Sequence, residues 1–240
     1  MPSTLLGARP VIAPGTRLQT SGKIASAAFQ LGSMQGFSLD APAGQRFTFR
    51  DFIECGETWH RAAAEGMSIN NSPLQEESWR SIAKLGASVL DPVWAQFGKL
   101  SLTYGFSSTR LSHLISQKAN AGISPANDQH AACELNMKNN PVCRHLGAAC
   151  DFRVLGPARG MREVAVWIAE NIDFDSLYYY GDGRPVHVSW GPSARRSVVV
   201  MRTDQGSGRR FPVRHARAAQ GAAPTKGRRL GRWGSRNFEL

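Results

Sequence analysis

The sequence contains no apolar run of about 18 residues, which is the length that a membrane-spanning helix requires. Its first 29 residues also lack the unbroken apolar segment of about 7–15 residues that is typical of secretory signals. The first absence excludes a membrane-spanning helix. The second leads us to expect a cytoplasmic protein.

Acidic residues are scarce, but only at one end of the chain. Residues 191–240 hold 12 Lys and Arg against two acids, whereas the first 190 residues hold 17 against 16, so the net charge of +11 belongs to the tail. Because residues 205–240 are rich in Arg, Gly and Ala without apolar periodicity, we predict a disordered basic tail. Clustered cations can neutralise nucleic-acid phosphates, but a solvated tail is the simpler interpretation.

Cysteine is limited to Cys55, Cys133, Cys143 and Cys150, and no two of them form a close Cys-x-x-Cys pair. Four cysteines allow two disulfides. In a chain of this size without a secretory signal, however, free thiols are favoured.

The order of the predicted elements indicates an α+β fold. Residues 1–45 carry Gly, Pro and Ser without a sustained pattern and are expected to form a partly disordered arm, which leaves one domain at 46–204. Helices are predicted from Thr48 to Glu65, from Ser72 to Gly98, over "TRLSHLISQ" and over "MREVAVWIAENI". Strands are predicted at "KLSLTYGF", "AACDFRVL", "LYYYG", "PVHVSW" and "SVVVMR". Helices early and strands late favour an antiparallel sheet with helices packed on one side.

Residues 128–152, "DQHAACELNMKNNPVCRHLGAACDF", concentrate metal-ligand chemistry. One interpretation is a structural zinc site of Cys133, Cys143, His145 and Cys150, although the usual close Cys pairs are missing. A nucleobase deaminase needs His-x-Glu and Pro-Cys-x-x-Cys, and neither pattern is present.

A third interpretation takes ligands from separate elements: His130, Asp151 and, from "PVHVSW", His187. Two imidazoles and a carboxylate form a three-ligand zinc site with a position left for water, whose pKa such a site can lower to about 7. This set predicts a catalytic metal rather than a structural one.

The same segments resemble the M15 zinc peptidases. "DQH", "GAACDF" and "RPVHVSW" are similar to the family's Ser-x-His, Gly-x-Ala-x-Asp and final His-containing strand, over roughly residues 100–190. The resemblance implies a hedgehog/D-Ala-D-Ala-peptidase-like fold, a Zn²⁺ cofactor and His130, Asp151 and His187 as its ligands. It also implies that Arg110, in "YGFSSTR", binds the substrate carboxylate, for which a guanidinium is well shaped.

This chain departs from the family pattern at two places. The family's first His lies seven residues before the Asp, where Arg144 stands here. Either the adjacent His145 is the ligand, or residues 131–146 are an insertion and His130 is the ligand, which we prefer because "NMKNNP" suits an inserted turn.

The second departure concerns the catalytic base. The family commonly has a Glu three residues before the last His, and Arg184 occupies that position. Asp182 and Glu134 are the nearest substitutes. Loss of general-base help would cost about 10²–10⁴-fold in rate.

Two functions therefore follow from the resemblance. The first is a zinc-dependent metallopeptidase acting on a short peptide or a peptidoglycan stem peptide, as a carboxypeptidase or an endolysin-like hydrolase. The second is a non-catalytic module of the same type that retains a structural metal. A cell-wall substrate would require release of a phage-derived protein from the cytoplasm.

Overall fold

A computed structural model describes residues 37–117, 125–156 and 160–217, with side chains described as far as residue 213. Most of its helices precede most of its strands, which is the order expected for an α+β chain. The helices are α1 (Phe49–Ile53), α2 (Glu57–Ala64), α3 (Glu76–Leu85), α4 (Asp91–Phe97), α5 (Thr109–Ser116) and α6 (Met161–Asn171). The strands are β1 (Leu100–Tyr104), β2 (Ala148–Val154), β3 (Ser176–Tyr179), β4 (Val186–Trp190), β5 (Ser197–Thr203) and β6 (Arg210–Arg217). Among the described helices, none is long and apolar enough to cross a membrane.

The predicted first helix is divided in two. Thr48 and Asp51 form the predicted capping box at the start of α1. Gly56 then adopts φ +92° and separates α1 from α2. Glycine adopts a positive φ at little steric cost, so the chain can break at this point. The apolar spacing continues across the break, and for that reason the sequence pattern did not reveal it.

The predicted second helix forms as one helical run, α3 and α4, with a π-helical segment, Gly86–Leu90, between them. The start lies at Gln75 rather than at Ser72. A Cβ at Gly86 would lie 1.6 Å from the carbonyl oxygen of Ala43. The glycine therefore lets the N-terminal segment approach the helix backbone directly.

Six strands form one sheet in the order β1-β2-β4-β3-β5-β6. The sheet is mixed rather than antiparallel, because β3 pairs in parallel with β5 while every other pair is antiparallel. This corrects the antiparallel prediction. Each of the five predicted strands forms, because an apolar period of two residues is a local signal in the sequence. The choice of the neighbouring strand and its direction is not encoded in that local signal.

Alternation within β2 and β4 divides the sheet into two faces. Cys150 and Phe152 of β2, with Val186 and Val188 of β4, are fully buried in the main hydrophobic core. Residues from α1, α3, α4 and α6 complete that core. Asp151 and His187 lie between the core positions and so belong to the opposite face.

Both predicted boundaries of the domain change. Ala43 is fully buried, so the ordered fold includes part of the segment predicted as an arm. The strand β6 forms inside the predicted basic tail, at 210–217. Residues 1–36 and 218–240 lie outside the described part of the chain.

Candidate metal centre

A row of side chains crosses the non-core face of the sheet. Antiparallel pairing places Asp151 of β2 opposite Tyr104 of β1 and opposite His187 of β4, and His187 opposite Tyr178 of β3. Residues paired directly across strands have Cβ atoms about 4.5–5.5 Å apart on the same face. Strand register alone therefore brings Asp151 and His187 together. A β-bulge between Leu102 and Tyr104 precedes this row.

A 3₁₀ turn, Gln129–Ala131, supplies the next groups. Asp128 caps the turn by accepting a hydrogen bond from the backbone N–H of His130 at 3.1 Å. The backbone carbonyl of His130 accepts from the N–H of Ser107 at 2.9 Å, which fixes the turn beside β1. Asp128 and His130 thus enter the site as one unit.

Four side chains meet at this point. Oδ1 of Asp151 lies 2.9 Å from Nδ1 of His187 and 3.3 Å from Nε2 of His130. One ligand atom from each of Asp128, His130 and His187 lies within 4.8 Å of the others. His130 and His187 are buried, and Asp128 and Asp151 are partly buried.

Asp128 and Asp151 control the charge of the His130 imidazole. Burial opposes a charged His130, but Asp128 and Asp151 outweigh it and raise the pKa of His130 to about 9. Burial also opposes the charged form of Asp151 and by itself would raise its pKa. Hydrogen bonds from His130 and His187 outweigh burial and hold the pKa of Asp151 well below its usual range. The cluster therefore favours a cation at its centre, either a proton or a metal ion.

The donor set fits a divalent transition metal. Nδ1 of His130 donates to the carbonyl oxygen of Gly105 at 2.7 Å, so Nε2 keeps its lone pair for the centre. Ligating histidines commonly have such a partner on the second nitrogen. Ligands about 2.1 Å from zinc at tetrahedral angles are about 3.4 Å apart. The 3.3 Å between His130 and Asp151 is close to that value, whereas the 2.9 Å between Asp151 and His187 is a direct hydrogen-bond distance. Imidazole and carboxylate are both ligands that zinc accepts.

A cleft of about 230 Å³ opens onto these four residues. Its walls include Cys55, Trp59, Tyr104, Leu111, Tyr180 and Arg210. The aromatic rings surround the imidazoles closely, with ring centroids 4.1 Å apart for Tyr104 and His130 and 5.2 Å apart for Tyr178 and His187. A small polar molecule can reach the centre through this cleft.

Arg110, which was predicted to bind the substrate, and Arg210 have different positions relative to the cleft. Arg110 is exposed in the first turn of α5 and is not among the residues that line the cleft. Arg210 of β6 lines the cleft, and its guanidinium carbon lies 5.2 Å from the centre of the Tyr180 ring. Within the described residues no carboxylate forms an ion pair with Arg210. Arg210 therefore lines the cleft and Arg110 does not, while substrate binding by Arg110 stays a prediction.

Neither predicted catalytic base lines the cleft. The carboxylate of Glu134 is buried and accepts hydrogen bonds from the backbone N–H groups of Leu74 and Gln75 and from the hydroxyl of Ser78. Asp182 accepts from the N–H of Arg162 at the start of α6. Both acids bind helix N-termini, where a carboxylate is stabilised by free N–H groups.

The alternative ligands lie elsewhere too. Nε2 of His145 contacts Nη1 of Arg195 at 3.0 Å, so His130 rather than His145 joins Asp151 and His187. All four cysteines are buried and free, as predicted. Cys133, Cys143 and Cys150 do not form a metal-binding group with His145 in the described part of the chain.

Sequence reasoning missed two residues of the site. Asp128 stands two residues before His130 in the very segment that was examined, and an Asp that can cap a turn beside a ligand was the available signal. Arg210 gave no signal, because its strand lies in an Arg-rich segment without clear alternation. Only tertiary pairing with β5 brings Arg210 to the cleft.

Comparison of the chain with protein-family models, with curated proteins and with solved structures finds no match in any of the three.

Proposed function

We propose that the chain is a metal-dependent hydrolase of the M15 type, with a hedgehog/D-Ala-D-Ala-peptidase-like fold and with Zn²⁺ held by His130, Asp151 and His187. The observation that carries the proposal is that Oδ1 of Asp151 lies within 3.3 Å of a ring nitrogen of both His130 and His187, and that Asp128 brings one ligand atom within 4.8 Å of those of the two histidines. The hydrogen bond from His130 to Gly105 supports a metal-binding role because it presents Nε2 to the centre.

When bound, zinc would supply Lewis-acid polarisation of a substrate carbonyl and activation of a water molecule. The chain must then accept a proton from that water. Asp128 is the acid placed to do so, since it lines the cleft and is about 29% exposed, whereas neither Glu134 nor Asp182 lines the cleft. Asp128 would pass the proton to the amine that leaves as the peptide bond breaks.

The proposed substrate is a short peptide or a peptidoglycan stem peptide. Arg210 would bind its carboxylate at the mouth of the cleft, in the role that the sequence suggested for Arg110. Stacking against Tyr180 restricts the guanidinium, so less conformational entropy is lost when it binds an anion. The cleft volume of about 230 Å³ suits a few residues of an extended peptide rather than a folded protein.

Metal analysis with a hydrolysis assay tests this function. We expect one zinc per wild-type chain, loss of zinc in His130→Ala and in His187→Ala, and full zinc in His145→Ala and in His113→Ala, an exposed histidine on α5. Release of D-alanine or cleavage of peptidoglycan fragments should follow the zinc content. A wild-type protein without bound metal would refute the proposal, and zinc without turnover would favour a non-catalytic module.

Two conservative variants distinguish the proposed roles of Asp151 and Asp128. Asp151→Asn should lose zinc, because it removes the carboxylate that faces both imidazoles. Asp128→Asn should keep zinc and lose hydrolysis by about 10²–10⁴-fold, as expected for a missing base. Loss of zinc in Asp128→Asn with retention in Asp151→Asn would assign Asp128 as the ligand instead.

A further inference from the structure

The turn that carries Asp128 and His130 is held from behind by Gln129, which lies between them and is 2% exposed. Nε2 of Gln129 donates a hydrogen bond to the carbonyl oxygen of Leu146 at 2.8 Å. The same amide faces the carboxylate of Asp175: a Cβ built at Gly191 would lie 2.8 Å from Nε2 of Gln129 and 3.1 Å from the carboxyl carbon of Asp175, and Gln129 contributes to the lowered pKa of Asp175. Because a buried amide needs partners for its polar atoms, this arrangement fixes the side chain in one position.

Asp175 is in turn fixed by Arg195. Its Oδ2 accepts a hydrogen bond from Nε of Arg195 at 2.9 Å, and its Oδ1 accepts from the backbone N–H of Arg195 at 3.0 Å. Asp175 is 1% exposed, so the carboxylate is both buried and paired. A buried pair of this kind resists displacement, since breaking it would leave a charge without a partner.

Asp175 also connects to the strand that carries the other histidine. Its backbone N–H donates to the carbonyl oxygen of Ser189 at 2.8 Å, two residues after His187 in β4. One acid therefore contacts the His130 turn through Gln129 and the His187 strand through Ser189.

The neighbouring backbone leaves room for this contact and little else. A Cβ at Gly191 would lie 2.8 Å from Nε2 of Gln129 and 2.7 Å from the carbonyl oxygen of Leu146. The glycine at this position thus provides the space in which the amide of Gln129 sits.

We propose that Gln129, oriented by the Asp175–Arg195 pair, is a positioning residue that sets the geometry of the His130 and His187 metal ligands. The inference rests on the proposed function, because it assigns Gln129 a role at the same metal centre. Partners behind the ligands of metal sites typically contribute about 10–100-fold in metal affinity. Gln129 touches neither metal nor substrate, so its effect is exerted through His130 and Asp128.

The test compares Gln129→Met with wild type. Methionine keeps the length of the side chain and loses the amide that donates to Leu146 and faces Asp175. We expect the zinc Kd, measured by competition with a chromophoric chelator, to rise about 10–100-fold. The visible absorption bands of the Co²⁺-loaded protein should shift as well, because they report ligand geometry. Should Gln129→Met fail to fold, Gln129→Leu serves, since it also loses the amide donors and places no charge beside Asp175.

Arg196→Lys is the matched control. Arg196 is the next residue after Arg195 and is equally engaged, but its guanidinium donates to the carbonyl oxygens of Ala169 and Ile172 at the end of α6. This variant should lower the urea midpoint of the metal-free protein and leave the zinc Kd and Co²⁺ spectrum unchanged. A wild-type Kd and spectrum in Gln129→Met would overturn the inference alone. A wild-type protein that binds no zinc would overturn the proposed function, and the inference with it.

Discussion

His130 illustrates how much one residue depends on its two immediate neighbours in the chain. Asp128 caps its backbone N–H and raises its pKa, while Gln129 secures the turn to Asp175. Tyr104 and Gly105 then fix the imidazole ring from the side of β1. A histidine can act as a ligand effectively only when its ring is oriented before the metal arrives, and these four residues orient His130 in that way.

Glu134 shows the opposite case, an acid near the site whose role is structural. Its buried carboxylate satisfies two free N–H groups at the start of α3 and the hydroxyl of Ser78. We predict that Glu134→Gln lowers the free energy of unfolding by about 1–3 kcal/mol, because the amide turns a donor toward donors. Zinc content and hydrolysis should not change.

Urea denaturation of the Glu134→Gln variant provides the measurement. Glu77→Gln is its control, an exposed acid in the first turn of the same helix, for which we expect a change within about 0.5 kcal/mol. Loss of hydrolysis in Glu134→Gln at unchanged stability would restore Glu134 as a catalytic candidate.

Asp175 makes the stability of the fold depend on pH, and its partner Arg195 determines the sign of that dependence. Burial alone would raise the pKa of Asp175, but Arg195 and Gln129 lower it below the ordinary value. The unfolded chain therefore binds more protons than the folded chain in the acid range, and the stabilisation is present above about pH 3.9 and lost as the pH falls through the folded pKa.

We predict that Asp175→Asn lowers stability at pH 7 by about 2 kcal/mol, less than the about 3–5 kcal/mol typical of fully buried pairs because the Arg195 side chain is 31% exposed. The difference from wild type should shrink below about pH 3.9. Urea unfolding at pH 7 and at acid pH measures it. A difference independent of pH would show that the ionised form of Asp175 does not stabilise the fold.

At the scale of elements, the local signals of the sequence were reliable and the pairings were not. Alternation in β2 and β4 correctly placed Asp151 and His187 on strands, and the capping box at Thr48 correctly started α1. The parallel pairing of β3 with β5 depends on which strands meet after collapse, which no window of sequence contains. The break at Gly56 was hidden because the apolar spacing continues across it.

The π-helical segment between α3 and α4 provides a prediction at the same scale. Gly86→Ala would place a methyl group 1.6 Å from the Ala43 carbonyl oxygen, so either the helix or the N-terminal segment must move. We expect a loss of about 1–3 kcal/mol, as is typical of overpacked sites. Thermal unfolding measures it, and Ser88→Ala on the exposed side of the segment should be close to neutral. Equal stability of both variants would mean that this close approach is absent.

At the scale of the whole molecule, the site collects residues from distant parts of the chain. His130 comes from a central turn, Asp151 and His187 come from the middle strands of the sheet, and Arg210 comes from the edge strand β6. The proposed ligands could be chosen from the sequence because each lies in a short segment with a recognisable pattern. Arg210 could not, since its position depends on the register of β6 against β5, which an Arg-rich segment does not reveal.

Alanine variants of Arg210 and Arg110 test which of the two arginines binds the substrate carboxylate. Arg210 lines the cleft and Arg110 does not, although the sequence resemblance pointed to Arg110. We predict that Arg210→Ala lowers kcat/KM for peptides with a free C-terminal carboxylate by about 10- to 100-fold, through a higher KM, which corresponds to the loss of a charge-assisted hydrogen bond. Arg110→Ala should be close to wild type. Amidated peptides should show no difference between wild type and Arg210→Ala, because they lack the anion. If Arg110→Ala gives the larger loss instead, the substrate carboxylate lies on the α5 side, and the edge strand β6 takes no part in recognition.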